Sequence, residues 1–172
     1  MNTILRHGLV AGVLVSILLF APYFIFGPRP DVMRWGEVIG YASMALCLSA
    51  TWFAMRAEQR RRGGTLRWAG AFGIGVGVSA VAGVVFGLGT WAFYATVGDS
   101  LPEAMLEYYR TLAREAGGGP DAVAARLAEL DAMRDFFFNR PLQAAVMFAT
   151  VFVIGVVESV VGAWFVTRRR RA

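Results

Sequence analysis

The chain contains no lysine: all 17 of its basic residues are arginine. That absence excludes lysine nucleophiles and Schiff bases, and with them a P-loop, whose phosphate contacts need a lysine. Histidine and cysteine are nearly missing too. His7 and Cys47 occur once each, so an H-E-x-x-H helix or a Cys/His metal cluster cannot be assembled, and a disulfide within the chain has no second sulfur. Asp, Ser and His fall into no convincing triad. No catalytic residue, metal or cofactor is therefore expected, and the run GIGVG lies inside an apolar stretch where it cannot serve as a nucleotide loop.

Polar residues of all kinds are scarce. Of 172 residues 57% are hydrophobic and the mean hydropathy is +0.54, against roughly 45 to 50% apolar in an ordinary soluble domain. The net charge of +5 does not indicate a nucleic-acid partner, because the arginines cluster between apolar runs instead of covering one surface. The expected partner is the lipid bilayer.

A crossing helix needs about 20 mainly apolar residues. Four segments meet that need: 8–27, 38–55, 68–92 and 142–167, the last broken only by Glu158. The third apolar run continues from Trp68 to Gly98, about 46 Å as a helix, so its far end should project beyond the lipid. Trp68 and Trp91 are separated by about 34 Å of helix, a fitting distance between two aromatic belts. The first run is too long for a cleaved signal sequence and lacks an A-x-A site before Pro22 or Pro28, so it reads as a retained span.

Arginine density sets the expected sidedness. Arg6, the five arginines between Arg56 and Arg67, and Arg168 to Arg171 fall on one side of a four-span chain. The other side holds Gly27 to Glu37, with two arginines and two acids, and Asp99 to Arg140, with five arginines against eight acids. Both termini are therefore expected in the cytoplasm. The clusters RAEQRRR and RRRR have a second reading, as sites for anionic lipid headgroups; fixing the topology already accounts for them. His7, beside Arg6 at the lip of the first span, is expected to meet headgroups, and Glu58 and the outer acids read as solvated helix faces.

The segment 100–140 reads as an amphipathic helical hairpin. Ser100 and Glu103 have capping-box spacing, with Leu101, Met105, Tyr109 and Leu112 along one face. The GGGP turn at Gly117 to Pro120 ends that arm. Asp121 is placed to cap a second arm, in which Val123, Leu127, Leu130 and Phe137 share a face. Phe136, Phe137 and Phe138 stand where an aromatic belt is expected, before Pro141 starts the last span.

The opening ILRHGLVAGVL, the second-span IGYASMAL, the basic turn RRRGGTLRW and the outer stretch GGGPDAVAARLAELDAMRDFFFNRPL resemble the bacterial four-span membrane proteins catalogued as domain of unknown function 4199, over nearly the whole chain. The resemblance implies a membrane-embedded four-helix unit with an extracytoplasmic helical pair, and no established activity, cofactor or substrate. Glu158 is not part of that resemblance.

The pairs Gly8/Gly12, Gly36/Gly40, Gly73/Gly77 and Gly83/Gly87 have the small-xxx-small spacing that lets helices approach closely in lipid. Their density makes the third span the expected central helix. Gly155 and Gly162 flank Glu158 and Ser159 as a further small-residue seam. Glu158 lies about 15 Å of helix before Arg168, close to the bilayer centre. A charge there costs about 2.5 to 3.5 kcal/mol on insertion scales, so the acid should turn inward. At similar depth the other spans offer Ser16, Cys47, Ser49 and Ser79 and no basic residue, which favours the neutral carboxyl. Glu158, Ser159, Ser79 and Ser49 thus form the candidate intramembrane polar site.

The sequence is read as an all-α, non-enzymatic protein of the bacterial inner membrane: four spans, cytoplasmic termini, and an outer hairpin as the surface for a protein partner. The alternative is a small proton- or solute-coupled transporter using Glu158, expected to work as a homo-oligomer because four helices leave little room for a pathway.

Overall fold

In an apolar stretch, the backbone N–H and C=O groups have only each other as partners, and the helix is the form that satisfies them within one segment. The computed structural model describes residues 2–27 and 30–168, with the backbone alone at 30–37 and Cys47, so Gly36 in its expected pair, the Cys47 side chain, Pro28 and Arg169 to Arg171 lie outside the described residues. Eight helices and no strand occur among the described residues: α1 Thr3–Phe26, α2 Pro30–Leu48, α3 Ala50–Arg61, α4 Trp68–Val97, α5 Ser100–Glu115, α6 Pro120–Ala132, α7 Arg134–Phe138 and α8 Arg140–Arg168. Among the described residues, four stretches are long and apolar enough to cross a membrane: Thr3–Phe26, Val38–Arg61, Trp68–Val97 and Arg140–Arg168.

The second stretch differs from expectation at both its middle and its end. Ser49 separates α2 from α3. Its hydroxyl donates to the Leu46 carbonyl at 2.6 Å, and Trp52 N bonds back only three residues, to the Ser49 carbonyl at 3.0 Å. A serine that competes for a carbonyl in this way bends a helix. Beyond Met55 the helix does not stop: α3 carries the basic sequence as far as Arg61, and the connection shrinks to Arg62–Arg67.

Contacts at the glycines fix the helix directions. A Cβ on Gly8 would lie 2.6 Å from Val81 Cβ, and one on Gly12 2.7 Å from Val85 Cβ; Ile4 similarly faces Gly77, and Ser16 faces Gly89. Both series ascend, so α1 and α4 run parallel. Along α4 and α8 the order reverses: Gly75 meets Ser159, Ser79 meets Gly155, Gly83 meets Phe148, and Gly87 meets the Ala144 carbonyl. Leu48 and Met55 face Gly155 and Gly162 in turn, which places the α2–α3 stretch parallel to α8. Thr3, Arg61, Trp68 and Arg168 therefore share one arginine-rich end, and α5 to α7 occupy the other.

Helix α4 is central, with α1 and α8 on its two sides and α3 completing the bundle. The expected pair Gly73/Gly77 does not act as a pair. A Cβ on Gly73 would meet nothing within 4 Å, and Gly77 faces α1 instead. Gly75, two residues on, takes the place beside α8: one helical turn separates it from Ser79, so Gly75-xxx-Ser79 meets Gly155-xxx-Ser159 with serine set against glycine in both directions. Ser79 and Ser159 are fully buried. On one side of this seam lies a cluster including Val15, Leu48, Phe86 and Val151, and on the other a cluster including Met55, Ile74, Val78 and Ala163. The outward faces carry Ile17, Leu46, Phe53, Leu88 and Val153, all more than half exposed, as suits helices whose solvent is lipid.

At the far end, Gly117, Gly118 and Gly119 all have positive φ, a conformation available to glycine at little cost. They terminate α5, as GGGP predicts. Two capping expectations fail. Ser100 lies inside α5 and donates to the Val97 carbonyl at 2.7 Å, while Asp121 falls in the first turn of α6 after a Gly119 cap. The stripe on α5 is also rotated: Pro102, Leu106 and Ala113 are buried, and Leu112 is exposed. Helix α6 has no buried residue, although Val123, Leu127 and Leu130 are partly covered.

The seam predicts opposite results for two chemically identical changes. Gly155→Ala places a methyl group 2.5 Å from Ser79 Cβ and should cost about 1 to 3 kcal/mol by overpacking. Gly73→Ala meets nothing and should be neutral or gain up to about 0.5 to 1 kcal/mol. Unfolding by sodium dodecyl sulfate from a mild detergent measures both, and equal losses would disprove the seam.

Candidate functional site

Glu158 is partly exposed and lies on the edge of α8 that faces α3. Gly155 and Gly162, on either side of it, receive Leu48 and Met55. Because these helices are parallel, Thr51 of α3, itself 1% exposed, is level with the carboxyl. Glu158 is thus at the margin of the seam and not within it.

The serines expected to join it are placed otherwise. Ser159 donates to the Gly155 carbonyl at 2.6 Å, Ser79 to the Gly75 carbonyl at 2.9 Å, and Ser49 to the Leu46 carbonyl. Ser16 likewise donates to the Gly12 carbonyl at 2.8 Å. Each hydroxyl proton is spent inside its own helix, which is how a small polar side chain satisfies itself without a partner. The structure brings Ser79 and Ser159 together across the seam as packing atoms, leaves Ser49 at the helix break, and gives Glu158 no hydrogen bond or ion pair among the described residues. Also among the described residues, no three His, Cys, Asp or Glu side chains converge as metal ligands.

A different acid is the organised one. Glu58 does not form the expected solvated face: it is 7% exposed, paired with Arg62 at 2.8 Å and with Arg61 at 3.8 Å. The continuation of α3 past Met55 is what turns it inward. Its neighbour Gln59 donates to the Val166 carbonyl at 3.0 Å, tying α3 to α8. The signal was present in the sequence as a glutamate three and four residues before arginines, the spacing of helix ion pairs. His7 binds the Thr3 carbonyl through Nδ1 at 2.8 Å.

At the opposite end, polar contacts join the bundle to α5–α7. Arg140 pairs with Asp99 at 3.3 Å, Gln143 donates to the Phe136 carbonyl at 2.9 Å, and Tyr23 and Ser100 share a hydroxyl contact of 3.1 Å. Phe20 and Phe93 stack at 4.4 Å beneath them. Phe137 is buried and lies 5.9 Å from the Tyr109 ring. Arg110 binds Asp131 at 2.5 Å, linking α5 to α6. The Asp131 hydrogen bond, with help from Glu107, holds the Arg110 guanidinium above its ordinary value. Glu107 and Asp131 stay mostly exposed, so these pairs organise a solvated surface.

Comparison with curated proteins and with solved structures finds no match. A family model does match, along residues 6–168. With that alignment running from the first span to the end of the last, the chain belongs to the family described as Protein of unknown function (DUF4199).

Proposed function

We propose that the protein is a non-enzymatic, multi-pass component of a bacterial inner membrane, with both termini in the cytoplasm and α5–α7 forming an extracytoplasmic hairpin that receives a protein partner. The observation that carries this reading is the contrast between the two ends of the packing. At the level of Glu158 the bundle interior is filled, with Leu48, Met55, Val78, Ser79 and Ser159 all at 0% exposure, which supports a scaffold in preference to a conduit. Helix α6, by contrast, buries none of its residues and offers Val123, Leu127 and Leu130 only partly covered. Apolar side chains left incompletely packed on an outer helix are suited to a partner. The arginine distribution supports the orientation.

A second reading rests on Glu158. A partly exposed carboxyl about 15 Å of helix from Arg168, without a partner among the described residues, would be covered by another copy of the chain and could exchange a proton there, as acids in transporters do.

Labelling tests the orientation: a cysteine replacing exposed Ala125 in a Cys47→Ser background should react with a membrane-impermeant maleimide in intact cells, and one replacing exposed Arg67 only after permeabilisation. A photo-crosslinking residue at Leu127 should capture a discrete protein from cells, whereas one at Val153 should capture lipid. For Glu158, the first reading expects Glu158→Gln to shift the unfolding free energy by no more than about 0.6 kcal/mol, the worth of an average polar contact between membrane helices, and expects no proton flux in proteoliposomes. Proton flux in the wild type, abolished in Glu158→Gln, would establish the second reading in place of the first.

A further inference from the structure

A groove of about 390 Å³ opens at the arginine-rich end, lined by Arg56, Gln59, Arg60, Gly63, Gly64, Phe165 and Val166. Four arginines lie along this turn of α3 and its exit, and they divide into two pairs. Arg61 and Arg62 are committed to Glu58. Arg56 and Arg60, one helical turn apart and so on one face, make no ion pair among the described residues. No carboxylate lines the groove.

The end of α3 would ordinarily present free carbonyls, which repel an anion and attract guanidinium groups. Here three of the last four are satisfied: Arg62 N bonds the Glu58 carbonyl at 3.0 Å, Gly64 N the Gln59 carbonyl at 2.8 Å, and Gly63 N the Arg60 carbonyl at 3.1 Å. The last two closures depend on Gly63 and Gly64, at φ 59° and 81°. Neither glycine has anything within 4 Å of where a Cβ would stand, so that wall of the groove is open to a ligand.

The groove is also graded in polarity. Arg56 stacks over the Trp52 ring at 4.3 Å, which orients its planar donor fork. Phe165 forms the apolar wall, 51% exposed, and Trp52, 37% exposed, lies a turn deeper along α3, just outside the groove lining. Two unpaired guanidinium groups above exposed aromatic rings match a phosphate joined to acyl chains.

We propose that this groove binds the headgroup phosphate of an anionic phospholipid, Arg56 and Arg60 holding the phosphate oxygens and Trp52 and Phe165 the first part of the chains. The proposal goes beyond the function suggested above and rests only on the bundle lying in a bilayer; whichever face Arg60 occupies, that leaflet supplies the lipid. Phosphate chemistry has a second source in free inorganic phosphate, and the experiment separates the two.

Protein purified in a neutral detergent is titrated with phosphatidylglycerol, with phosphatidylcholine and with inorganic phosphate, and bound ligand is read by native mass spectrometry. Phosphatidylglycerol should bind preferentially. Arg56→Gln with Arg60→Gln should weaken it roughly 30-fold, corresponding to about 1 kcal/mol per arginine, whereas Arg110→Gln with Arg114→Gln should leave it unchanged. Arg60 is exposed, so Arg60→Gln alone keeps the fold and should still give about a five-fold loss if the double variant does not fold. Equal retention of phosphatidylcholine, or no loss in Arg60→Gln, overturns the proposal, as does saturation by inorganic phosphate with no preference for the lipid. A chain that stays monomeric without detergent would instead refute its residence in the bilayer, a distinct outcome.

Discussion

Close approach of the α4 and α8 backbones is the constraint on which the rest of the bundle depends. Within lipid there is little hydrophobic reward for putting one apolar helix against another, so contact must come from dispersion between well-fitted surfaces. Setting Ser79 against Gly155 and Ser159 against Gly75 removes the side chains that would hold the helices apart. The same approach would be costly if the serine hydroxyls were left unpaired, and their bonds to the carbonyls one turn back avoid that cost. Once this pair is formed, α1 enters from the other side through Gly8 and Gly12, and Met55 fills the space where Gly75 and Gly162 come together.

The spans themselves were legible, because length and hydropathy are properties of a segment alone. Which glycine faces which helix was not. Gly73 and Gly75 sit in the same apolar run, and only the registry of α4 against α8 decides that Gly75 is enclosed and Gly73 open. Counting glycine pairs alone hid Gly75-xxx-Ser79, where a serine serves as the second small residue. The central role of α4 was recoverable from its glycine density, since contacts on several faces need small residues on several faces.

Polar residues were harder to read for a different reason. The expected grouping of Glu158 with Ser159, Ser79 and Ser49 rested on their similar depth along the spans, but the serines bond their own helix backbone and Glu158 lies at the margin of the seam where Ser79 and Ser159 meet. Glu58 went the other way. It reads as a surface residue among arginines until α3 is seen to continue to Arg61, which brings Arg62 to one turn beyond it and turns its carboxylate out of solvent. That arrangement consumes two of the positive charges at this end and leaves Arg56 and Arg60 uncompensated, so the distribution of charge follows from where a helix stops.

The contact between Asp99 and Arg140 has a consequence for how the architecture can vary. These residues follow α4 and open α8, so the forty-residue excursion between them departs from and returns to a single place. Helices that are already neighbours need only two to eight residues to be joined. The excursion therefore starts and ends at one place on the bundle, where Gln143 and Tyr23 also hold it, and its length can change at the far turn while the oily cylinder beneath keeps its shape.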